Sequence, residues 1–353
     1  MATLALIGGQ YGSEGKGVIA AGLAHDFAAA VRTGGPNAGH SFYHKKTLYK
    51  MRSLPCAWVN RKTALFIGAG AVVDPEILLR EVEMTDSFVM VDPHAVIIDP
   101  WMHQAEVDAG MRASIGSTTE GVGAARIAKI QRNGSATLAK DYDWGKRWID
   151  IGDVAAFLQS GSVMLEGTQG SALSIHHGQY PFTTSTDTNA AQLAADAGMA
   201  PSRIGHTHLV VRTHPIRVAG NSGPTGGKEL GWESFVERGV VKVPERTTVT
   251  NNVRRIFEFS AIDFERAVLL NDPCGIWITF GDYVDPDAAN RRDWNDLMHG
   301  PMGAWLDKNI NPAIRVLGIG VGGEYWRVIE SGVSCRRPGV HYGREWPLVT
   351  ANR

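Results

Sequence analysis

Residues 8–17 read GGQYGSEGKG and directly follow the apolar run LALI at 4–7. A strand feeding a glycine-rich turn and then a helix turns backbone N–H groups and a positive helix end toward an anion. Lys16 adds a mobile positive charge. The stretch therefore reads as a phosphate cradle built from Gly12, Gly15, Lys16 and Gly17. It follows neither common nucleotide-loop pattern. Gln10 and Gly17 stand where a G-x-x-x-x-G-K-[ST] loop needs Gly and a hydroxyl residue, and no G-x-G-x-x-G fits. The loop fixes the ligand class and leaves the chemistry to the rest of the chain.

Outward from the loop, short apolar runs alternate with helix-period segments. The pattern predicts strands at 3–7, 64–68, 162–167, 208–213, 275–282 and 313–320. Helices are predicted at 14–30, at 74–83 behind an Asp74 cap and Pro75, and at 186–198, stopped by Gly198. Glu14 is then a first-turn residue that caps backbone donors. Strands followed by loops and helices predict an α/β fold, a mostly parallel sheet with helices on both faces. The glycine-rich GNSGPTGG at 220–227 reads as a loop rather than a linker, so 1–353 is expected to form one domain with long functional loops.

Charge narrows the partners. With 35 basic against 36 acidic residues, no cationic stripe is available for duplex nucleic acid, and small anions remain the expected ligands. No apolar run reaches membrane-spanning length, and the N-terminus lacks a basic leader segment. Cys56, Cys274 and Cys335 are far apart and form no C-x-x-C pair, which fits a reduced, cytoplasmic setting. The pairs His176/His177 and His206/His208 lack a third ligand of zinc-site spacing and read as ordinary loop or core histidines.

Further segments share one order with a known family. They are GGPNAGHS (34–41), FIGAGAVVDPEIL (66–78), IGSTTEGVGAA (115–125), KIQRNG (129–134), LEGTQGSALSIHHGQYPFTTS (165–185) and GIWITFGD (275–282). Together with the first loop they resemble the adenylosuccinate synthetase family over nearly the whole chain, which implies a P-loop-related fold. The resemblance implies a ligase that joins aspartate to a purine 6-position after a triphosphate phosphorylates the 6-oxygen. Phosphoryl transfer of this kind needs positioning, Mg²⁺ and groups that stabilise moving charge. By resemblance, Gly12, Gly15, Lys16 and Gly17 hold the donor phosphates, and the Gly39 carbonyl and residue 13 face Mg²⁺. His40 stabilises the 6-oxygen and later acts as acid. Asn37, Thr118, Gln169 and Thr184 hold the acceptor nucleotide, and Arg132 reaches it from a neighbouring subunit, implying a homodimer. Thr250 and Arg254 take the carboxylates of L-aspartate.

The departures carry the substrate assignment. Ser13 stands where cellular members carry the Asp that deprotonates purine N1, and serine is a poor base without an activator. A virus-associated branch of the family shows this change and acts on dGMP. In TTVTNNVRR (247–255), Asn252 falls where the family reads the ribose 2′-hydroxyl with Arg, as a deoxyribose substrate would allow. The guanine-selecting segment of the family reads Thr279-Phe280-Gly281-Asp282 here, and its C-terminal loop is reduced to GIGVGG around Gly320. These changes imply relaxed guanine selection and ATP or dATP as donor. Glu120 replaces a family Arg, which leaves open how the charge of aspartate is balanced. Two other readings compete: an ordinary GTP-dependent enzyme acting on IMP, and a nucleotide-binding regulator that kept the fold and lost the base.

Overall fold

A computed structural model describes residues 3–145, 148–247, 251–322 and 327–333. Its centre is a ten-stranded sheet. In chain order the strands are β1 (Thr3–Gly8), β2 (Ala29–Arg32), β3 (Ala64–Ile67), β4 (Val89–Val91), β5 (Ile149–Ile151), β6 (Val163–Glu166), β7 (Ile204–Arg212), β8 (Gly275–Thr279), β9 (Val316–Val321) and β10 (Arg327–Glu330). Across the sheet the order is β10-β9-β8-β7-β1-β6-β2-β3-β4-β5. Every pairing is parallel except β9 with β10. The expected α/β architecture is what the chain adopts.

The sheet is buried on both faces, as its strand sequences require. Along β1, Leu4 and Leu6 join the cluster under Ile19, Leu23, Leu54 and Leu78. The alternate residues Ala5 and Ile7 join the opposite cluster with Leu193, Leu209, Phe264 and Ile278. Period-two alternation thus sends one strand into two cores. Three small sheets lie outside the main one. One is the hairpin His40–His44 with Thr47–Met51, and another joins Ile216–Arg217, Glu229–Leu230 and Arg255–Phe257. The third pairs Val72–Val73 with Val96–Ile97.

The sequence pattern does not announce β4, β5 or β10, the helix expected over 186–198 is Ala190–Asp196, and the first helix and the run 275–282 also differ. The helix expected over 14–30 is Lys16–Leu23, and Ala29–Arg32 is a central strand paired with β6 and β3. Alanine-rich sequence fits either state, and the strand is selected by tertiary pairing on both edges. Glu14 precedes this helix, whose N-cap is Gly15. The run 275–282 leaves the sheet at Thr279, because Phe280 turns left-handed at φ 58° and opens a short 3-10 turn. The helix Pro75–Thr85 starts as expected, with the Asp74 carboxylate accepting from the Ile77 N–H. No helix of the described residues is long and apolar enough to cross a membrane.

Candidate active site

Parallel strands deliver their C-terminal ends to one side of the sheet, and ligands bind in the crevice there. A cleft of about 1180 Å³, open solvent included, lies on that side. Its walls bring together Gly12, Ser13, Lys16, Asn37, Gly39, His40, Thr118, Gln169, Thr184 and Arg254. These residues come from five segments spread over more than 240 positions, so the fold gathers most of the expected acceptor site into one place.

The glycine-rich loop follows β1 directly. Gly12 and Gly15 adopt φ 84° and 82°, a left-handed backbone open to glycine at little cost. Ser13 between them is also left-handed, at φ 61°, and is exposed to the cleft. Glu14 is completely buried and accepts from the N–H groups of Gln10 (3.1 Å) and Gly12 (2.7 Å). Its other oxygen holds Lys16 Nζ at 2.6 Å. The expected capping role at a helix start is therefore replaced by a carboxylate folded inside the loop. Lys16 rests on that carboxylate at the wall of the cleft, where an incoming phosphate can compete for it.

Below the cleft lies a charge cluster that was not foreseen from the sequence. Arg32 ends β2 and Glu166 ends β6, directly opposite each other in register. Glu166 Oε1 is 2.6 Å from His40 Nδ1 and 3.2 Å from Arg32 Nη1. Its Oε2 accepts from the Cys56 N–H at 2.7 Å. Arg32 Nη2 donates to the Ala38 carbonyl at 2.7 Å, fixing the loop that carries Asn37 and Gly39. Burial, and then the Arg32 charge, lower the His40 pKa to about 4, so the ring is neutral at neutral pH. Burial alone would raise the Glu166 carboxyl, but His40, Arg32 and Cys56 together hold it below the usual range. The carboxylate selects the tautomer with hydrogen on Nδ1 and leaves the Nε2 lone pair free to exchange a proton with a ligand. Glu166 and Cys56 lie close enough to His40 to suggest metal ligation. The Arg32 guanidinium already places a fixed positive charge within 3.3 Å of both His40 and Glu166, so the cluster is an ion-pair network.

Arg254, expected to take a carboxylate of aspartate, reaches Ser13. Arg254 Nη1 donates to the Ser13 hydroxyl, and Arg254 Nε lies 4.0 Å from Glu245. Thr247, and not Asn252, lines the cleft. The Asn252 N–H donates to Thr247 Oγ1 at 3.0 Å, pinning the loop. Thr250 lies outside the described residues. Arg217, Tyr11 and Glu106 also line the cleft without having been singled out. Arg217 sits 4.6 Å from the Tyr11 ring, and Tyr11 in turn donates to Asp263 at 2.7 Å.

Of the expected donor residues, Gly12 and Lys16 line the cleft, whereas Thr279, Phe280, Asp282 and Gly320 do not. Thr279 Oγ1 donates to the Glu14 carbonyl at 2.7 Å, joining β8 to the phosphate loop. The Phe280 ring lies 3.6 Å from the Arg212 guanidinium, which is paired with Glu245 at 2.6 Å. Asp282 is buried, and that burial raises its pKa to about 6. Gly320 is in β9. Gly17 is the second residue of the first helix, and a Cβ there would lie 2.7 Å from His40 Cβ. Arg132 caps the helix Val122–Gln131 on the exposed surface, away from its own chain's cleft.

The family model described as adenylosuccinate synthetase matches residues 5–141 and 151–287. The adenylosuccinate synthetase of Methanococcus aeolicus is 34% identical over 304 residues, 83% of this chain and 88% of the relative. The N6-succino-2-amino-2′-deoxyadenylate synthase of Vibrio phage phiVC8 is 32% identical over 333 residues, 88% of this chain and 93% of the relative. Among solved structures, cyanophage S-2L succinoaminodeoxyadenylate synthetase, bound to dGMP and to dATP as energy donor, superimposes with a TM-score of 0.79. It is 29% identical, with 91% of this chain and 93% of that one covered.

Proposed function

Because the chain belongs to the adenylosuccinate synthetase family of carbon–nitrogen ligases, we propose that it joins L-aspartate to the 6-position of dGMP, driven by ATP or dATP. The product is N6-succinyl-2-amino-2′-deoxyadenylate, a precursor of 2-aminoadenine in DNA. The observation that carries this reading is Ser13. A short neutral side chain faces the cleft on the glycine-rich loop, where the longer carboxylate of an aspartate would crowd a purine 2-amino group. The two phage relatives, one of them solved with dGMP and dATP, support the same substrate.

Asn37, Thr118, Gln169 and Thr184 hold the acceptor nucleotide, and Arg132 of a second subunit completes its phosphate site in a homodimer. Lys16 leaves Glu14 to meet the donor phosphates at the glycine-rich loop. His40 Nε2 faces the purine 6-position, takes a proton from the aspartate amine as its nitrogen bonds to C6, and passes that proton to the phosphate as the C6–O bond breaks. The Gly39 carbonyl, and Ser13 Oγ once Arg254 leaves it for aspartate, would be the hard oxygen ligands that hold Mg²⁺ on the cleft wall. When bound, that ion neutralises charge on the transferring phosphoryl group. Arg254 holds one carboxylate of aspartate. Phe280 offers a flat apolar face to the donor base, and Asp282 accepts from it.

A second reading, IMP with GTP, is favoured by the archaeal relative, which is slightly more identical than the phage one. Aspartate-dependent phosphate release measured with dGMP, GMP and IMP side by side separates the two. We expect dGMP to be preferred and Ser13→Asp to shift preference away from it. Turnover of IMP alone overturns the assignment.

A further inference from the structure

Aspartate brings two carboxylates and an amine into the cleft, yet most cavity cations are already committed. Lys16 sits on Glu14, and Arg217 donates through both Nη atoms to the carbonyls of Pro224 (2.7 Å) and Phe182 (2.9 Å). Arg254 donates to Ser13. The loop position expected to carry a further cation is Glu120, on the cleft wall. An unpaired acid there would repel a dicarboxylate.

Glu120 is not unpaired. Its Oε2 lies 2.5 Å from Arg52 Nη2. Arg52 Nε donates to the Pro36 carbonyl at 2.6 Å. The backbone behind this guanidinium is equally fixed, because the N–H groups of Arg52, Ser53 and Leu54 all donate to the buried carboxylate of Glu81. Two groups remain open among the described residues: Arg52 Nη1 and Glu120 Oε1. The side chains are about one-fifth exposed, 22% and 19%. A held guanidinium with one idle N–H edge, beside a carboxylate with one idle oxygen, complements an amino-acid head group, with its carboxylate on the first and its amine on the second.

We infer that the Arg52–Glu120 pair is the second half of the amino-acid subsite. Arg52 binds one carboxylate of aspartate, and Glu120 both positions Arg52 and accepts from the amine. This deepens the ligase reading and rests on it. The pair sets a cation directly against the cleft-lining Glu120, and it selects for a zwitterion over a plain dicarboxylate.

The test is calorimetric binding of L-aspartate to the full chain in the presence of purine monophosphate and a non-hydrolysable triphosphate, with nucleotide affinity measured in parallel. Arg52→Gln is expected to weaken aspartate roughly 10-fold to 100-fold, the scale of one lost charge-assisted hydrogen bond, with nucleotide affinity nearly unchanged. Glu120→Gln weakens it less. Succinate, which lacks the amine, binds far more weakly than aspartate to the parent and loses little more in Glu120→Gln. The swapped pair Arg52→Glu with Glu120→Arg rebuilds a bridge between the two segments without restoring aspartate binding. Unchanged aspartate affinity in Arg52→Gln overturns the inference. So does a parallel loss of aspartate and nucleotide binding that the swap repairs, which marks a purely structural bridge. Normal aspartate binding without turnover on any purine refutes the ligase reading and leaves the subsite standing.

Discussion

Glu14 and Glu166 are both fully buried carboxylates, each touching a cation and at least one backbone N–H, yet they do opposite things for the molecule. The Glu14 carboxylate accepts from groups within four residues: the backbone N–H of Gln10 and of Gly12, and Lys16 Nζ. The partners of Glu166 lie 134, 126 and 110 positions away, at Arg32, His40 and Cys56. The first pair shapes a loop and parks a lysine that can turn into the cleft. The second fastens β2 to β6 and to the segments carrying His40 and Cys56. A buried ion pair is thus a movable part when its partners are local and a fixed joint when they are distant.

The joint is expected to break hardest. Glu166→Ala leaves Arg32 buried without its counter-charge, and the loss should be about 3–5 kcal/mol of unfolding free energy in urea titration. A loss under about 1 kcal/mol would show that water or a local shift takes over the role. The loop pair should cost less. Glu14→Gln keeps the shape and one acceptor while Lys16 can swing into the cleft, so about 1–3 kcal/mol is expected. Saturating ATP should also raise the melting temperature of this variant more than that of the parent, because phosphate supplies the missing counter-charge. Equal shifts in both proteins would mean that Lys16 is not shared between Glu14 and the donor.

The last effect is read in pH and concerns a group outside both pairs. Burial, followed by the charges of Arg212 and Arg238, lowers the His214 pKa to about 3. Its ring packs 5.1 Å from Phe235 and 6.2 Å from Tyr283. The unfolded chain takes up this proton near pH 6.5 and the folded chain does not, so the contribution is complete above 6.5 and fades as pH falls toward 3. His214→Phe should therefore flatten the fall in stability between pH 6.5 and 4. An unchanged slope would show that the ring charges without penalty.

The same division between local and distant contacts explains what the sequence disclosed. The strand, the glycine-rich turn and the helix behind it were legible because their signals are contiguous, as was the helix capped by Asp74. Ten of the expected acceptor and loop residues line one cleft because each belongs to a motif readable by itself. Glu166 was not legible as a joint. It is the glutamate of LEGTQG, and nothing nearby announces a partner at Arg32. Ala29–Arg32 was absorbed into a helix because alanine is silent about pairing that only β3 and β6 supply. Arg52 went unnoticed for the same reason, its counterpart lying 68 positions away. The motif suggests a sugar-facing Asn252, but it is Thr247 that lines the cleft, with the Asn252 N–H donating to its hydroxyl.

The close seat of His40 against Gly17 restricts the evolutionary routes open to this loop. Many phosphate-binding loops place a threonine or serine right after the lysine as an oxygen donor. Installing one here would drive its β-carbon into the histidine 2.7 Å away. That solution is closed to this loop unless the imidazole shifts, so a hydroxyl ligand for the phosphates has to come from elsewhere on the loop.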